Sequence, residues 1–140
     1  MADLDSLIRV RRHVVEQKQK FLTELYDQAD ALEDQKQAMI RQMAIEKAKT
    51  QELGVEMLSF FDQYVRAVKE RLLDLDDAMD TLEKRIDMAR EEVREAFADV
   101  KKVEIIQERR LAEEKATEEK KESDVLDEIG IETVQRENND

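Results

Sequence analysis

Residues able to carry out catalysis are scarce in this chain and poorly placed for it. There is no cysteine, and the only histidine is His13. A nucleophile activated by a neighbouring base would have to use that one histidine. A helical two-metal site needs Glu-x-x-His on two helices, yet Val10 occupies the position three before His13. A phosphate-binding loop needs several closely spaced glycines, and Gly54 and Gly130 are isolated. We therefore expect no catalytic residue, no metal site and no cofactor.

The composition favours long helices that bind other proteins. Proline is absent, 43% of the residues are charged and 4% are aromatic. Such a chain cannot surround a thick core, but it can line a narrow apolar seam. The 36 acidic and 24 basic residues give a formal net charge of -12, which argues against nucleic acid as a partner. No segment has the pattern of a signal peptide or a membrane span, so we expect a cytoplasmic protein without direct membrane insertion.

Apolar residues in the second half recur at alternating spacings of three and four, the heptad period of a coiled coil. These seam positions are Leu58, Phe61, Val65, Val68, Leu72, Leu75, Met79, Leu82, Ile86, Ala89, Val93, Ala96, Val100 and Val103. The first half repeats the period with more polar residues, at Leu4, Ile8, Arg11, Val15, Lys18, Leu22, Leu25, Ala29, Leu32, Lys36, Met39, Met43, Glu46 and Thr50. Between the runs stands Gly54, a residue type suited to end a helix. The sequence therefore predicts an all-α fold, an antiparallel two-helix coiled-coil hairpin with an overhanging second helix.

The position of Gly54 also predicts the register of the hairpin. Paired residues should have numbers that add up to about 111, so that Leu25 faces Ile86 and Ile8 faces Val103. We expect helix 1 over about residues 4–53, a turn near Gly54 and helix 2 over about residues 56–122. Together these form a hairpin domain of residues 1–122, and residues 123–140 are expected to be an acidic, flexible tail.

Three groups of residues stand out from the charged helix surfaces as candidates for protein contacts. A basic group opens helix 1: Arg9, Arg11, Arg12, Lys18 and Lys20. An apolar and basic group lies where helix 1 runs out beside helix 2: Val103, Ile105, Ile106, Arg109, Arg110 and Leu111. An aromatic group follows the turn: Phe60, Phe61 and Tyr64. The first two groups are expected to lie side by side, and the third belongs to the turn, so two distinct binding surfaces are predicted.

Several stretches of the chain resemble the FliJ family of flagellar type III export proteins. They are LIRVRRHVVEQKQKFLTELYDQADAL in helix 1, and FFDQYVRAVKERL and REEVREAFADVKKVEIIQERRLAEE in helix 2. The order of parts is also similar: a basic first helix, a turn, an aromatic stretch and a longer second helix.

The resemblance implies a non-enzymatic, stalk-like adaptor. Its open end would enter the ring of the flagellar export ATPase, and it would also contact the cytoplasmic domain of the export gate and take part in handling export chaperones. Carried onto this chain, the ring-facing residues are Arg9, Arg11, Arg12, Ile106, Arg109 and Arg110. The gate-facing residues are Tyr64, Val68 and Arg71. Such a protein would be a monomer when free, and would associate peripherally with the inner-membrane export apparatus.

The residues alone leave two other interpretations of the function open. In the first, the chain is a homodimeric structural coiled-coil spacer or scaffold, whose seam pairs with a second chain and which has no link to an ATPase. In the second, it is a prefoldin-like arm that holds unfolded chains. That class needs a strand insert between the helices, and too few residues surround Gly54 to supply one.

Overall fold

The fold was analysed in a computed structural model, which describes residues 2–139. Two long α-helices follow one another, α1 (Ala2–Leu53) and α2 (Leu58–Asn139), and a short 3-10 helix (Val55–Met57) stands between them. The described residues contain no strand. The expected fold class, an all-α helical hairpin, is confirmed.

The connection between the helices depends on Gly54. Its backbone has φ 99° and ψ -179°, a combination that side-chain-bearing residues rarely adopt. The amide of Met57 donates a hydrogen bond of 3.3 Å to the carbonyl of Gly54, which closes the short 3-10 turn. The chain therefore reverses where the sequence predicted it, because only glycine takes this backbone conformation without strain.

The chain divides into two compact units, which are described separately. The turn unit runs from His13 to Ala96, and the terminal unit combines the residues up to Arg12 with those from Phe97 onward. The core of the turn unit forms around Leu25, which is 0% exposed and packs with Leu82, Ile86 and Ala89. Three further residues pack against this cluster: Leu22, Ala29 and Leu32. Leu25 and Ile86 therefore belong to one cluster, in agreement with the predicted register.

The predicted seam matches the burial pattern closely. Every seam position in α2 is buried or half-buried except Leu58, and every one in α1 except Arg11. Leu58 is the first residue of α2 and has only the turn before it. Arg11 keeps its long, charged side chain in water, in accord with the cost of burying an unpaired charge. In the terminal unit the buried residues are Ile8, Val100 and Val103, all of them seam positions.

Packing in the turn unit is uneven along its length. No residue between Leu25 and Val68 is buried, although the seam positions of that stretch are mostly half-buried. Polar residues occupy part of this seam, among them Lys36, Glu46 and Thr50. The Lys36 ammonium pairs with Asp76 at 3.2 Å, and the Thr50 hydroxyl donates a hydrogen bond of 2.8 Å to the Glu46 carbonyl.

Helix α2 continues past residue 122, where we expected it to end, as far as Asn139. Gly130 lies inside the helix with an ordinary backbone conformation. A single glycine weakens a helix by about 1 kcal/mol but does not stop it, and no proline follows. All residues from Glu108 to Asn139 are exposed. The division into a hairpin of residues 1–122 and a flexible tail stays a prediction.

Candidate interaction surfaces

One side of the terminal unit is a network of paired charges. The Arg12 guanidinium donates a hydrogen bond of 2.9 Å to the Glu104 carboxylate, and Lys101 forms an ion pair of 3.3 Å with the same group. Nearby, the Gln107 amide donates a hydrogen bond to the Asp5 carboxylate. The hydrogen bonds from Arg12, and then from Lys101, lower the pKa of Glu104 below its ordinary value. On this side the positive charge of Arg12 is already matched by a carboxylate.

The other side of the terminal unit carries a different surface. Successive helical residues turn by about 100°, so Leu7, Val10 and Arg11 lie on the flank of α1 opposite the pairs made by Asp5 and Arg12. By the same geometry, the matching flank of α2 carries Lys102, Ile106 and Arg109. All six side chains are exposed. We call these six residues the basic–apolar face.

The six ring-facing candidates are all in the terminal unit and all exposed, but they do not form one patch. Arg11, Ile106 and Arg109 belong to the basic–apolar face. Arg9 and Arg12 project towards the charged side, where Glu104 pairs with Arg12. Arg110 is exposed near the continuation of the seam, beyond the last residue that α1 covers. The ring contact itself stays a prediction.

The gate-facing candidates differ in accessibility. Arg71 is exposed, Tyr64 is half-buried with its ring centre 6.3 Å from that of Phe61, and Val68 is only 7% exposed. Val68 is a seam residue of the turn unit, so its side chain is not available to a partner unless the helices separate. Tyr64 and Arg71 are the two of the three that a partner could touch, and the gate contact stays a prediction.

The turn carries an apolar surface larger than the aromatic group suggested. Val55 is 82% exposed, and Leu53, Met57, Leu58 and Phe60 are exposed beside it in the chain. The sequence could have indicated this surface, because five large apolar residues lie within eight positions around a glycine. Of the five, the heptad pattern included only Leu58 and the aromatic group only Phe60; Leu53, Val55 and Met57 belong to neither pattern.

Exposed pairs also join the two helices within the turn unit. Lys18 pairs with Glu92 at 3.1 Å and Lys36 with Asp76 at 3.2 Å. The Arg90 guanidinium donates a hydrogen bond of 2.7 Å to the Tyr26 hydroxyl, which raises the pKa of the arginine, and it also stands 5.5 Å from the centre of that ring. Such exposed pairs contribute little to stability because water screens them, so they support the register more than the stability.

Within residues 2–139 no three His, Cys, Asp or Glu side chains are grouped so that they could hold a metal ion. No helix in the same range is both long and apolar enough to cross a membrane.

Comparison with protein families identifies the class to which this hairpin belongs. The family model described as the flagellar FliJ protein matches residues 3–139, almost the whole chain. The chain therefore belongs to the FliJ family and is a flagellar, export-associated protein. No curated protein matches it. No solved structure matches it either.

Proposed function

We propose that this chain is a non-enzymatic adaptor that joins the flagellar export ATPase ring to the cytoplasmic domain of the export gate. The observation that carries the proposal is the family match over residues 3–139, which includes both the terminal unit and the turn unit. The basic–apolar face supports a ring contact, because exposed apolar residues beside basic ones favour a protein partner with complementary charge. The exposed apolar residues of the turn support a second, separate contact.

The adaptor acts by binding rather than by catalysis. A ligand changes the activity of a ring only if it binds some states of the ring more tightly than others. The chain is therefore expected to raise ATP hydrolysis and to favour hexamers by preferring the assembled ring. It is also proposed to handle export chaperones, to be a monomer when free, and to be cytoplasmic and peripherally associated with the inner-membrane export apparatus.

The ring contact is tested by mixing the purified chain with the purified export ATPase. ATP hydrolysis and the hexameric fraction should both rise. The double variant Arg11→Ala/Arg109→Ala should lose most of the increase, whereas Arg85→Ala, an exposed arginine of the turn unit, should keep it. No increase with the wild-type chain, when both proteins are folded, would exclude the ring contact.

The gate contact is tested by titrating the cytoplasmic domain of the gate with Tyr64→Ala and Arg71→Ala. Each should weaken binding by several-fold, since each removes one exposed contact group. Val68→Ala is the informative comparison, because Val68 is a packed seam residue and its loss should lower stability first. Equal binding by the wild type and both surface variants would move the gate contact elsewhere.

A further inference from the structure

The end of α2 combines exposed apolar residues with strong acidic charge. Every residue from Glu122 to Asn139 is exposed. This stretch holds six acidic residues and one basic residue: Glu122, Asp124, Asp127, Glu128, Glu132, Glu137 and Arg136. The stretch before it, residues 108–121, holds five acidic and five basic residues, so the charge changes abruptly along one continuous helix. We call residues 122–139 the acidic segment.

One side of the acidic segment is free of charge. At about 100° per residue, Val125, Leu126, Ile129 and Thr133 fall within an arc of about 100°. The Thr133 hydroxyl donates a hydrogen bond of 2.8 Å to the Ile129 carbonyl, so this side chain is already paired. Ile131 points almost directly away, to the opposite side of the helix. We call the four residues that share this side the apolar arc.

A row of carboxylates borders the apolar arc. Asp124, Glu128 and Glu132 follow one another at a spacing of four, which places them along one edge of the arc. Like charges at this spacing repel each other. Lys120 and Arg136 stand four residues beyond the two ends of the row, and no basic residue lies within four positions of Glu128. This acidic row is therefore best compensated by basic side chains from outside the helix.

Within residues 2–139 no other part of the chain covers the apolar arc. Helix α2 is continuous, and the 18 residues from Gln107 to Val125 carry the segment about 27 Å beyond the paired helices, so it cannot fold back on them. Its charge disfavours nucleic acid and anionic membranes, and two acidic segments would repel each other. The occupant that fits both the apolar arc and the acidic row is a basic surface of a different protein.

From these observations we propose that the acidic segment is a recognition helix for another protein, which receives the apolar arc in an apolar groove bordered by Lys and Arg. Val125, Leu126 and Ile129 supply the apolar contacts, since side chains three and four residues apart anchor an amphipathic helix in a groove. The acidic row faces the basic border of the groove and fixes which side of the helix turns inward.

This contact is separate from those of the proposed function. The ring-facing candidates end at Arg110, and the acidic segment begins about 18 Å further along the helix. A partner of the acidic segment can therefore be bound while the basic–apolar face is occupied. The recognition does not depend on any ATPase.

Fluorescence anisotropy of a labelled synthetic peptide tests the recognition. The probe is a helix-forming peptide of Leu and Lys at heptad spacing, which presents an apolar stripe bordered by amines, and it is titrated with the full chain. It should bind, and added salt should weaken the binding. A peptide with Glu in place of Lys should not bind. A peptide of Lys alone should bind at least about tenfold more weakly, because it offers no apolar contact.

Two isoleucine variants test the apolar arc. Ile129→Ala should weaken binding of the Leu–Lys peptide about tenfold, since it removes one apolar anchor. Ile131→Ala is the matched control: its side chain is 59% exposed against 54% for Ile129, yet it lies on the opposite side of the helix. It should change binding by less than about twofold.

Two charge variants test the acidic row. Glu128→Gln should weaken binding by several-fold and make it less sensitive to salt. Glu113→Gln removes the same charge from the balanced stretch before the segment and should change binding by less than about twofold. All four substituted side chains are exposed, so circular dichroism should show unchanged folding.

Hydrogen exchange locates the bound peptide on the chain. Amides of the acidic segment should exchange more slowly with the peptide bound, and those around the exposed Asp76 and Asp77 of the turn unit should not change. Protection around Asp76 and Asp77 instead would overturn the proposal, because binding would then follow acidic charge alone.

Other results would also overturn the recognition of a basic protein groove. These are equal binding of the Leu–Lys and Leu–Glu peptides, or equal effects of Ile129→Ala and Ile131→Ala. Binding to phosphatidylcholine vesicles that requires Ile129 would assign the apolar arc to a lipid surface. A mass that rises above 16.5 kDa with concentration, and that requires Ile129, would assign it to a second copy. If the peptide binds as described but the chain leaves the ATPase unchanged, the recognition stands and the proposed function fails.

Discussion

The replacement Gly54→Ala tests how the hairpin is connected. A Cβ at residue 54 would have no atom within 4 Å, so the new methyl group meets no steric obstacle. The cost comes from the backbone alone, because φ 99° with ψ -179° is a region that residues with a Cβ avoid. Holding an alanine there costs about 1–3 kcal/mol. For a chain of this size that corresponds to a melting temperature lower by about 3–10 °C.

The assay is urea unfolding followed by circular dichroism, with two comparison variants. Leu53→Ala changes an exposed neighbour and should alter the free energy of unfolding by less than about 0.5 kcal/mol. Gly130→Ala also meets no atom within 4 Å, but its backbone is helical. It should favour the helix locally by about 1 kcal/mol, raising the helix signal of the overhang without stabilising the packed hairpin.

Gly54→Ala should lower the stability of the hairpin, whereas Gly130→Ala should favour the helix of the overhang. If Gly54→Ala left the free energy of unfolding unchanged, the turn would not be held at positive φ, and the reasoning would be refuted. The same conclusion would follow if Leu53→Ala and Gly54→Ala lowered the stability equally.

Three further predictions concern packing and charge. Leu25→Ala should lower the free energy of unfolding by about 2–5 kcal/mol, because Leu25 is wholly buried, whereas the exposed Ile40→Ala should cost well under half as much in the same urea titration. The pKa of Glu104 is lowered from its ordinary value of 4.5, so this carboxylate stabilises the fold fully above that pH and loses its contribution as the pH falls through the folded-state pKa. Arg12→Ala should raise that pKa towards 4.5 in a carboxyl NMR titration, and an unchanged pKa would show that the hydrogen bond does not form in solution. Tyr26→Phe keeps the ring beside Arg90 but removes the hydrogen bond, so melting should change by no more than a few degrees.

Periodicity predicted the hairpin well because its two determinants are local in the sequence. The heptad spacing assigns the inward-facing residues, and one glycine between the two runs sets where the chain turns. Leu25 and Ile86 lie in one cluster because the register follows from those two facts alone. The two exposed seam positions also have local causes. Leu58 begins α2 at the turn, and Arg11 keeps its charged side chain in water.

The flanks of the helices were harder to predict than the seam. The sequence grouped Arg9, Arg11 and Arg12 as one basic cluster, but adjacent helical residues point about 100° apart. Arg12 therefore reaches Glu104, while Arg11 lies on the other flank. The end of α2 is also hard to predict, since charged residues without a partner resemble a disordered tail in composition, yet nothing in the stretch except Gly130 opposes a helix.

The absence of buried residues between Leu25 and Val68 has a consequence for motion. Opening the turn-side part of the hairpin exposes little apolar area, so it requires far less free energy than global unfolding. Backbone amides near the turn should therefore exchange with deuterium by partial opening, while those around Leu82 and Ile86 should exchange only when the whole hairpin unfolds. The turn can then separate its helices briefly while the core stays intact, which would give a partner transient access to seam residues such as Val68.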